Sequence, residues 1–412
     1  MKKNIVILGG GVTGCALAYF FSKKNIFNIN LLEKGTNLGG LSRSEWIDKY
    51  QCWNDIGPHI FHSPDPEITD LWKELFVDLF QISDYYCAVI KDKQFDHFHP
   101  YPISIEGIKR STKINVSNLK ATNISSTEQA KAKNFREMMV AKVGPEIEEM
   151  FFRKYPQKLW GMPTNIIRSE WAPKRISIRE SIDTFFKGQF VATCKKGSGQ
   201  AYKKIFEQLS NVNCKFSFSS KVEGFEIEKN QITKIKVKNE FIDTSDSLVI
   251  NTIPVTLISK FLGKELKLKY RGVRISNWIL SERNFMPNQY GWIYFDSHEI
   301  PFTRLTDYTK MSPESIDDKF GILTVECPFS PEKENQKNKT KKENLEEVKN
   351  CLDEIPWLHG KVIDCSSFYE EPYVYPIREL GYEEEINTFN SMVANLSNFW
   401  SIGAAGGFEY SD

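Results

Sequence analysis

A chain of 412 residues exceeds what one compact core holds, and at about 150 residues per domain two or three domains are expected. Lys and Arg total 54 against 53 Asp and Glu, a net charge of +1, so no global field draws the chain to nucleic acid or to an acidic membrane, and any bound anion must meet a local basic cluster. Eight cysteines, scattered without a C-x-x-C pair or a nearby His, suggest neither a metal site nor a disulfide framework, and no run of 18 apolar residues is long enough to span a bilayer.

Asn4 to Leu8 is an apolar run that meets glycines at once and is too short for a signal h-region; it reads as a first strand, with the cytoplasm as the expected compartment. A turn over Gly9 to Gly14 leads to a helix over Cys15 to Lys23, with Leu17, Phe20 and Phe21 on one side, and to a second strand over Ile29 to Leu32. The spacing of Ile68, Leu71, Trp72, Leu75 and Leu79 predicts a helix, Tyr85 to Ile90 a strand, and Thr127 to Tyr155 one or two helices interrupted at Gly144-Pro145. Lys203 to Leu209 looks helical, Val222–Ile227 and Ile232–Val237 alternate like a hairpin, Ser247 to Ile253 is an apolar strand, and a helix starts at Pro254. Val273 to Leu280, Gly291 to Phe295 and Phe320 to Cys327 are β-type runs of one antiparallel sheet. Residues 331–343 contain no apolar side chain and read as a charged loop, before the helical stripe Leu345, Val348, Leu352 and Ile355.

The chemistry is concentrated first at Gly9-Gly10-Gly11-Val12-Thr13-Gly14. A G-x-G-x-x-G turn between a strand and a helix lets backbone N–H groups approach a pyrophosphate, and Gly9, Gly11 and Gly14 occupy its three fixed positions. Glu33 ends the next strand, where a carboxylate accepts hydrogen bonds from ribose hydroxyls. The cofactor is read as FAD rather than NAD because Gly39-Gly40-Leu41-Ser42-Arg43 follows, a second glycine turn that resembles that of the amine oxidase flavoprotein superfamily. Arg43 either faces the diphosphate or flavin or is a surface cation. The fold class is thus α/β: a Rossmann-type FAD-binding domain in three pieces (1–64, 185–262 and 385–412), an inserted, mainly helical subdomain (65–184), and an antiparallel β-sheet substrate domain (263–384) roofing the cofactor.

Further segments resemble the UDP-galactopyranose mutase family, flavoenzymes that contract a pyranose sugar nucleotide to its furanose form. They are Asp55-Ile56-Gly57-Pro58-His59-Ile60-Phe61-His62, Tyr101-Pro102-Ile103, Tyr155 through Leu159-Trp160-Gly161, Lys174-Arg175-Ile176-Ser177-Ile178-Arg179, Pro301-Phe302-Thr303-Arg304 and Tyr375-Pro376-Ile377-Arg378. The resemblance implies a reduced FAD whose N5 forms an adduct with the sugar. It also implies His59 beside the flavin, Arg304 and Arg179 as catalytic clamps on a diphosphate, and Tyr155, Trp160 and Tyr375 lining the substrate pocket. Val222, Leu41 and the C-terminal Gly403, Gly406 and Phe408 complete the implied cofactor set. His62 is read as a core residue.

The chain departs from the family at the C-terminal flavin segment, where an arginine is replaced by Ala404 and a tyrosine by Phe408, and at Val374, where another tyrosine is expected. Three polar contacts to the sugar diphosphate are missing, so UDP-galactose itself is not carried over as substrate. Asp412 ends the chain where the family continues into a helix facing the flavin. Two alternatives stand beside the mutase: an amine oxidase or protoporphyrinogen oxidase-like flavin oxidoreductase, suggested by Trp160-Gly161-x-Pro163 and Trp171 to Ile176, and a non-catalytic flavin-binding protein. The expected partner is a small molecule, a nucleotide sugar under the first reading; a homodimer is allowed, and neither nucleic acid nor an integral membrane segment is expected.

Overall fold

The structure, a computed structural model, describes residues 2–116, 126–171, 178–210 and 212–410. β1 (Lys3–Leu8), α1 (Val12–Lys24) and β2 (Phe27–Leu32) form the opening strand–helix–strand unit, with β1 and β2 paired in parallel, Ile5 opposite Ile29 and Ile7 opposite Leu31. Cys214–Ser217 extends the sheet beyond β2, while Ser247–Asn251 and then Phe399–Ser401 extend it beyond β1, giving five parallel strands. β1 is apolar at consecutive positions because both its faces are covered. Ile5 and Ile7 pack with Cys15 and Ala18 of α1, whereas Val6 and Leu8 pack with Val255, Ile258, Phe389 and Phe399.

The second sheet has seven strands: β3 (Cys87–Ile90), β4 (Phe98–Tyr101), β5 (Lys269–Leu280), β6 (Trp292–Phe295), β7 (Arg304–Asp307), β8 (Gly321–Phe329) and β9 (Val362–Ile377), in spatial order β9-β5-β8-β7-β6-β3-β4. The expected antiparallel sheet is present with one exception, the parallel pair β6–β3. β3 and β4 come from the segment expected to be mainly helical, residues 65–184, which is helical only in part. Its apolar run Cys87-Ala88-Val89-Ile90 is buried throughout and adds a strand to the sheet, while Phe80–Ile82 joins a small sheet with Phe61–Ser63 and Phe190–Cys194.

The same segment also supplies α2 (Lys154–Trp160), which follows a π-helical turn over Glu148–Arg153 and stops at Gly161 with φ +69°. α3 (Gly199–Leu209) packs on α1 through Ala201, Ile205 and Leu209. The charged loop expected at 331–343 is shorter than its composition indicates. Glu334–Lys337 is a helical turn, and α4 (Lys341–Glu354) starts inside the segment, because Thr340 accepts from the Glu343 N–H while the Glu343 carboxylate accepts from the Thr340 N–H. Among the described residues no helix is long and apolar enough to cross a membrane, and no group of His, Cys, Asp and Glu is placed to hold a metal ion.

Candidate functional site

The first glycine turn is closed by contact between backbones. Gly9 has φ +103°, and a Cβ on Gly14 would lie 1.9 Å from the Gly9 carbonyl oxygen, so neither position accepts a side chain. Gly11 caps α1 without a side-chain hydrogen bond, which leaves the first-turn N–H groups of a 13-residue helix open to an anion. The second glycine turn lies against the first: Gly11 bridges Gly39, the Gly39 N–H donates to the Gly10 carbonyl at 2.8 Å, and a Cβ on Gly40 would sit 3.0 Å from the Gly11 Cα. A Cβ on Gly11 would meet only the Gly40 Cα, at 3.9 Å. Uncapped donors beside an open glycine face fit a dinucleotide diphosphate.

Glu33, only 7% exposed, holds this cradle in shape. Its Oε2 accepts from the Gly10 N–H at 2.8 Å and its Oε1 from the Gly35 N–H at 2.7 Å. Each oxygen retains a second lone pair for a ribose hydroxyl. Val222 follows Ser220, whose N–H donates to the Glu33 carbonyl, but the Val222 side chain belongs to the core with Leu8 and Leu32.

From the cradle a continuous path leads to Arg304. His59 donates from Nε2 to the carbonyl of Leu41 at 2.9 Å; a carbonyl only accepts, so the bond fixes the proton on Nε2. Two residues earlier, Gly57 adopts φ +84° so close to Glu326 that a Cβ would lie 3.5 Å from Oε1. Glu326 stands directly opposite Arg304 across β8 and β7, and its carboxylate accepts from Arg304 Nε and Nη2 side-on, the latter at 2.8 Å, leaving Nη1 outside the pair.

Phenols surround this ion pair. Tyr294 packs edge-on against Tyr155 at 5.1 Å and against Tyr101 at 6.0 Å between ring centres, and Tyr155, Tyr294 and Tyr375 all interact with the Arg304 charge. Burial pushes these phenols above their ordinary value, so they stay protonated and can donate to and accept from hydroxyl groups. Trp160 at the end of α2 continues the wall through Trp171 (5.4 Å), Tyr410 (4.9 Å) and Tyr375 (6.1 Å).

Other expected contacts differ from the sequence reading. Arg179 reaches the same region, since it and Arg304 both act on the buried Cys87 thiol, but its Nη1 and Nη2 donate to the carbonyls of Thr184 and Phe185. Arg43 is not a free cation: it donates to the Gly40 carbonyl and is paired with Glu45 and with Glu371 of β9. The Phe408 ring is likewise engaged within the protein. It is 1% exposed and packs on Tyr270 and Tyr382, because an apolar ring in place of a phenol is driven into the core. Gly403 abuts Thr13 of α1 and Gly406 abuts Asn251, so both reach the cradle, whereas Ala404 is exposed. His62, expected in the core, is half-buried: its Nδ1 shares a hydrogen bond with the Gln189 side chain and its ring stacks on Phe186. Lys174 to Ser177 and Asp412 lie outside the described residues.

Four residues that sequence reasoning did not single out contribute to the site: Tyr294, Glu326, Lys158 and Asp55. Asp55 is 2% exposed and accepts from the hydroxyls of Ser44 and Ser198 and from the Ser198 N–H, tying the histidine loop to the start of α3. Burial raises its carboxyl pKa, while those bonds and His59 oppose the shift. The Ser198 N–H can only donate, and an amide here keeps one acceptor oxygen where the carboxylate has two. Asp55→Asn is therefore expected to cost about 2 kcal/mol, read as a lowered denaturation midpoint; an unchanged midpoint would show that the network contributes nothing to folding.

Residues 7–75 match the family model of the NAD(P)-binding Rossmann-like domain, and residues 150–410 match that of UDP-galactopyranose mutase. A probable UDP-galactopyranose mutase of Klebsiella pneumoniae is 23% identical over 220 residues, 51% of this chain, and the match spans about half the length of that relative, 53%. Among solved structures, a reduced UDP-galactopyranose mutase superposes with a TM-score of 0.79 at 18% identity, covering 98% of this chain and 89% of the other. A putative protoporphyrinogen oxidase of an Exiguobacterium species gives 0.68 at 15% identity, over 98% and 94%, and a putrescine oxidase 0.63 at 14%, over 99% and 95%. With its family model matched over more than half its length and the same fold throughout, the chain belongs to the UDP-galactopyranose mutase family.

Proposed function

We propose that this protein binds FAD and, with the flavin reduced, rearranges the ring of a nucleotide sugar as an intramolecular transferase. The observation that carries the reading is the unbroken path from the glycine cradle through Leu41, His59 and Gly57 to the Glu326–Arg304 pair and its phenols. Gly11, Gly39, Gly40 and the α1 N-terminus would hold the diphosphate of FAD, Glu33 its ribose, and His59 the flavin end. When bound, reduced flavin supplies an electron-rich nitrogen for the sugar's anomeric carbon.

The chain's own residues bind and orient. Arg304, turned by Glu326, offers Nη1 to the leaving diphosphate, where negative charge grows as the glycosidic bond weakens. Arg179, which like Arg304 acts on the Cys87 thiol, adds positive potential. Tyr155, Tyr294 and Tyr375 exchange hydrogen bonds with sugar hydroxyls and exclude water, and Trp160 supplies a flat apolar wall. A cytoplasmic setting and a homodimer are part of the same proposal.

The oxidoreductase reading draws on Ala404, Phe408 and Val374, which supply no polar contact to a diphosphate. An amine substrate, however, would face Arg304 and Arg179, and like charges disfavour it. The test is thermal unfolding of the FAD-loaded protein with UDP, UDP-hexoses and amines. A nucleotide present at about 100 times its Kd stabilises by about 2.7 kcal/mol and raises the midpoint by several degrees. A shift produced by amines or polycyclic substrates but by no nucleotide would overturn the mutase reading in favour of the oxidase.

A further inference from the structure

Lys158 is 7% exposed, yet among the described residues no carboxylate is paired with it. Asp296, which acts on its charge, is taken by Lys91 at 2.9 Å. The ammonium instead donates to two main-chain carbonyls, those of Phe295 at 3.1 Å and Phe302 at 2.5 Å. An ammonium buried without a counter-ion is disfavoured, so its place calls for a reason beyond packing.

The reason lies in what the two bonds join. Lys158 sits on α2 between Tyr155 and Trp160, the two rings proposed above to meet the sugar nucleotide. Phe295 ends β6, and Phe302 stands two residues before Arg304. The Phe295 N–H also donates to the Thr303 carbonyl at 2.9 Å, so the ammonium grips both limbs of the hairpin that presents Arg304. On the other side of α2, Arg271 donates to the carbonyls of Lys158 and Leu159, holding the last turn against β5. We propose that Lys158 is a positioning residue that sets the distance between the Tyr155–Trp160 wall and Arg304, and so the fit of a nucleotide sugar between them. This rests on the function proposed above.

The groups facing the ammonium are Cys327 on β8, Cys351 on α4, and Asp296 and His298 in the hairpin; Lys154, one turn back on α2, acts on His298 and is paired with Asp92. Burial lowers the Lys158 pKa to about 7. As the pH rises through that value the ammonium loses its charge, the two charge-assisted bonds become ordinary ones, and the hairpin is held less tightly.

The experiment is calorimetric titration of UDP-glucose, whose diphosphate diester exchanges no proton near neutrality, into the FAD-loaded, reduced protein from about pH 6 to about pH 9. The wild-type dissociation constant is expected to rise about fivefold through a single-proton step near neutrality. Lys158→Met should bind about tenfold more weakly at the acid end and show no step, with its flavin absorbance unchanged. Lys158→Arg should keep its affinity without the step, because a guanidinium stays charged throughout. A Lys158→Met protein that binds like wild type, or that retains the pH step, overturns the positioning role. Should Lys158→Met fail to fold, the step in wild type and its loss in Lys158→Arg decide. No binding of UDP-glucose by wild type at any pH brings down the nucleotide-sugar reading and this inference with it, whereas binding that ignores pH and Lys158 brings down only the latter.

Discussion

Glu33→Ala is expected to yield a folded but colourless protein. The carboxylate accepts two main-chain N–H groups, from Gly10 and Gly35, and its burial means that water does not replace it freely. Hydrogen bonds to a charged acceptor contribute roughly 1.5 to 3 kcal/mol each, so the glycine turn loses its fixed shape along with a ribose contact. About 3 kcal/mol taken from cofactor binding is roughly a hundredfold in Kd. Glu33→Gln should fall between, keeping one acceptor oxygen while turning an NH2 toward one of the two N–H donors. Far-ultraviolet dichroism and the flavin absorbance per chain check the result. An alanine variant that purifies yellow at the wild-type flavin content would show that this acid does not organise the cofactor site.

That acid was legible in the sequence because its signal is local: a strand, a glycine turn of fixed spacing, a helix and a strand-terminal carboxylate all lie within the first 33 residues. The same locality made β5, β6 and β8 readable as strands and much of the stretch from Thr127 to Tyr155 readable as helix, while α2, from Lys154 to Trp160, runs past the expected end. What the sequence did not show arises from pairing between distant segments. Cys87-Ala88-Val89-Ile90 reads as a strand, but nothing local says that it joins β6, about two hundred residues on, in parallel. Arg43 and Arg304 were visible as cations; the acids that engage them, Glu371 and Glu326, are brought to them only by the sheet. Two signals were present and went unused. Thr340-Lys341-Lys342-Glu343 is a capping box inside what composition alone calls a loop, and Glu326 is a lone acid within the apolar run from Phe320 to Cys327, which a strand tolerates only if the acid is paired.

Arg304→Met should remove turnover and stability together, and the two losses can be separated. Deleting the guanidinium leaves the Glu326 carboxylate, only 11% exposed, without its partner between β7 and β8; breaking such a pair costs roughly 3 kcal/mol. Under the proposed function the same change removes the donor to the leaving diphosphate, and loss of a donor of this kind lowers turnover by a factor of about a thousand. Changing both partners, Arg304→Met with Glu326→Leu, restores the denaturation midpoint to near wild type, since two apolar side chains of similar volume fill the space without a stranded charge. Turnover stays lost in the double variant. Glu326→Gln alone should act differently: Arg304 keeps its charge but loses the side-on grip that aims Nη1, so UDP binding persists while turnover falls. If the double variant regains activity along with its stability, Arg304 serves the fold and not the diphosphate, and the anion must be held elsewhere, with Arg179 next in line.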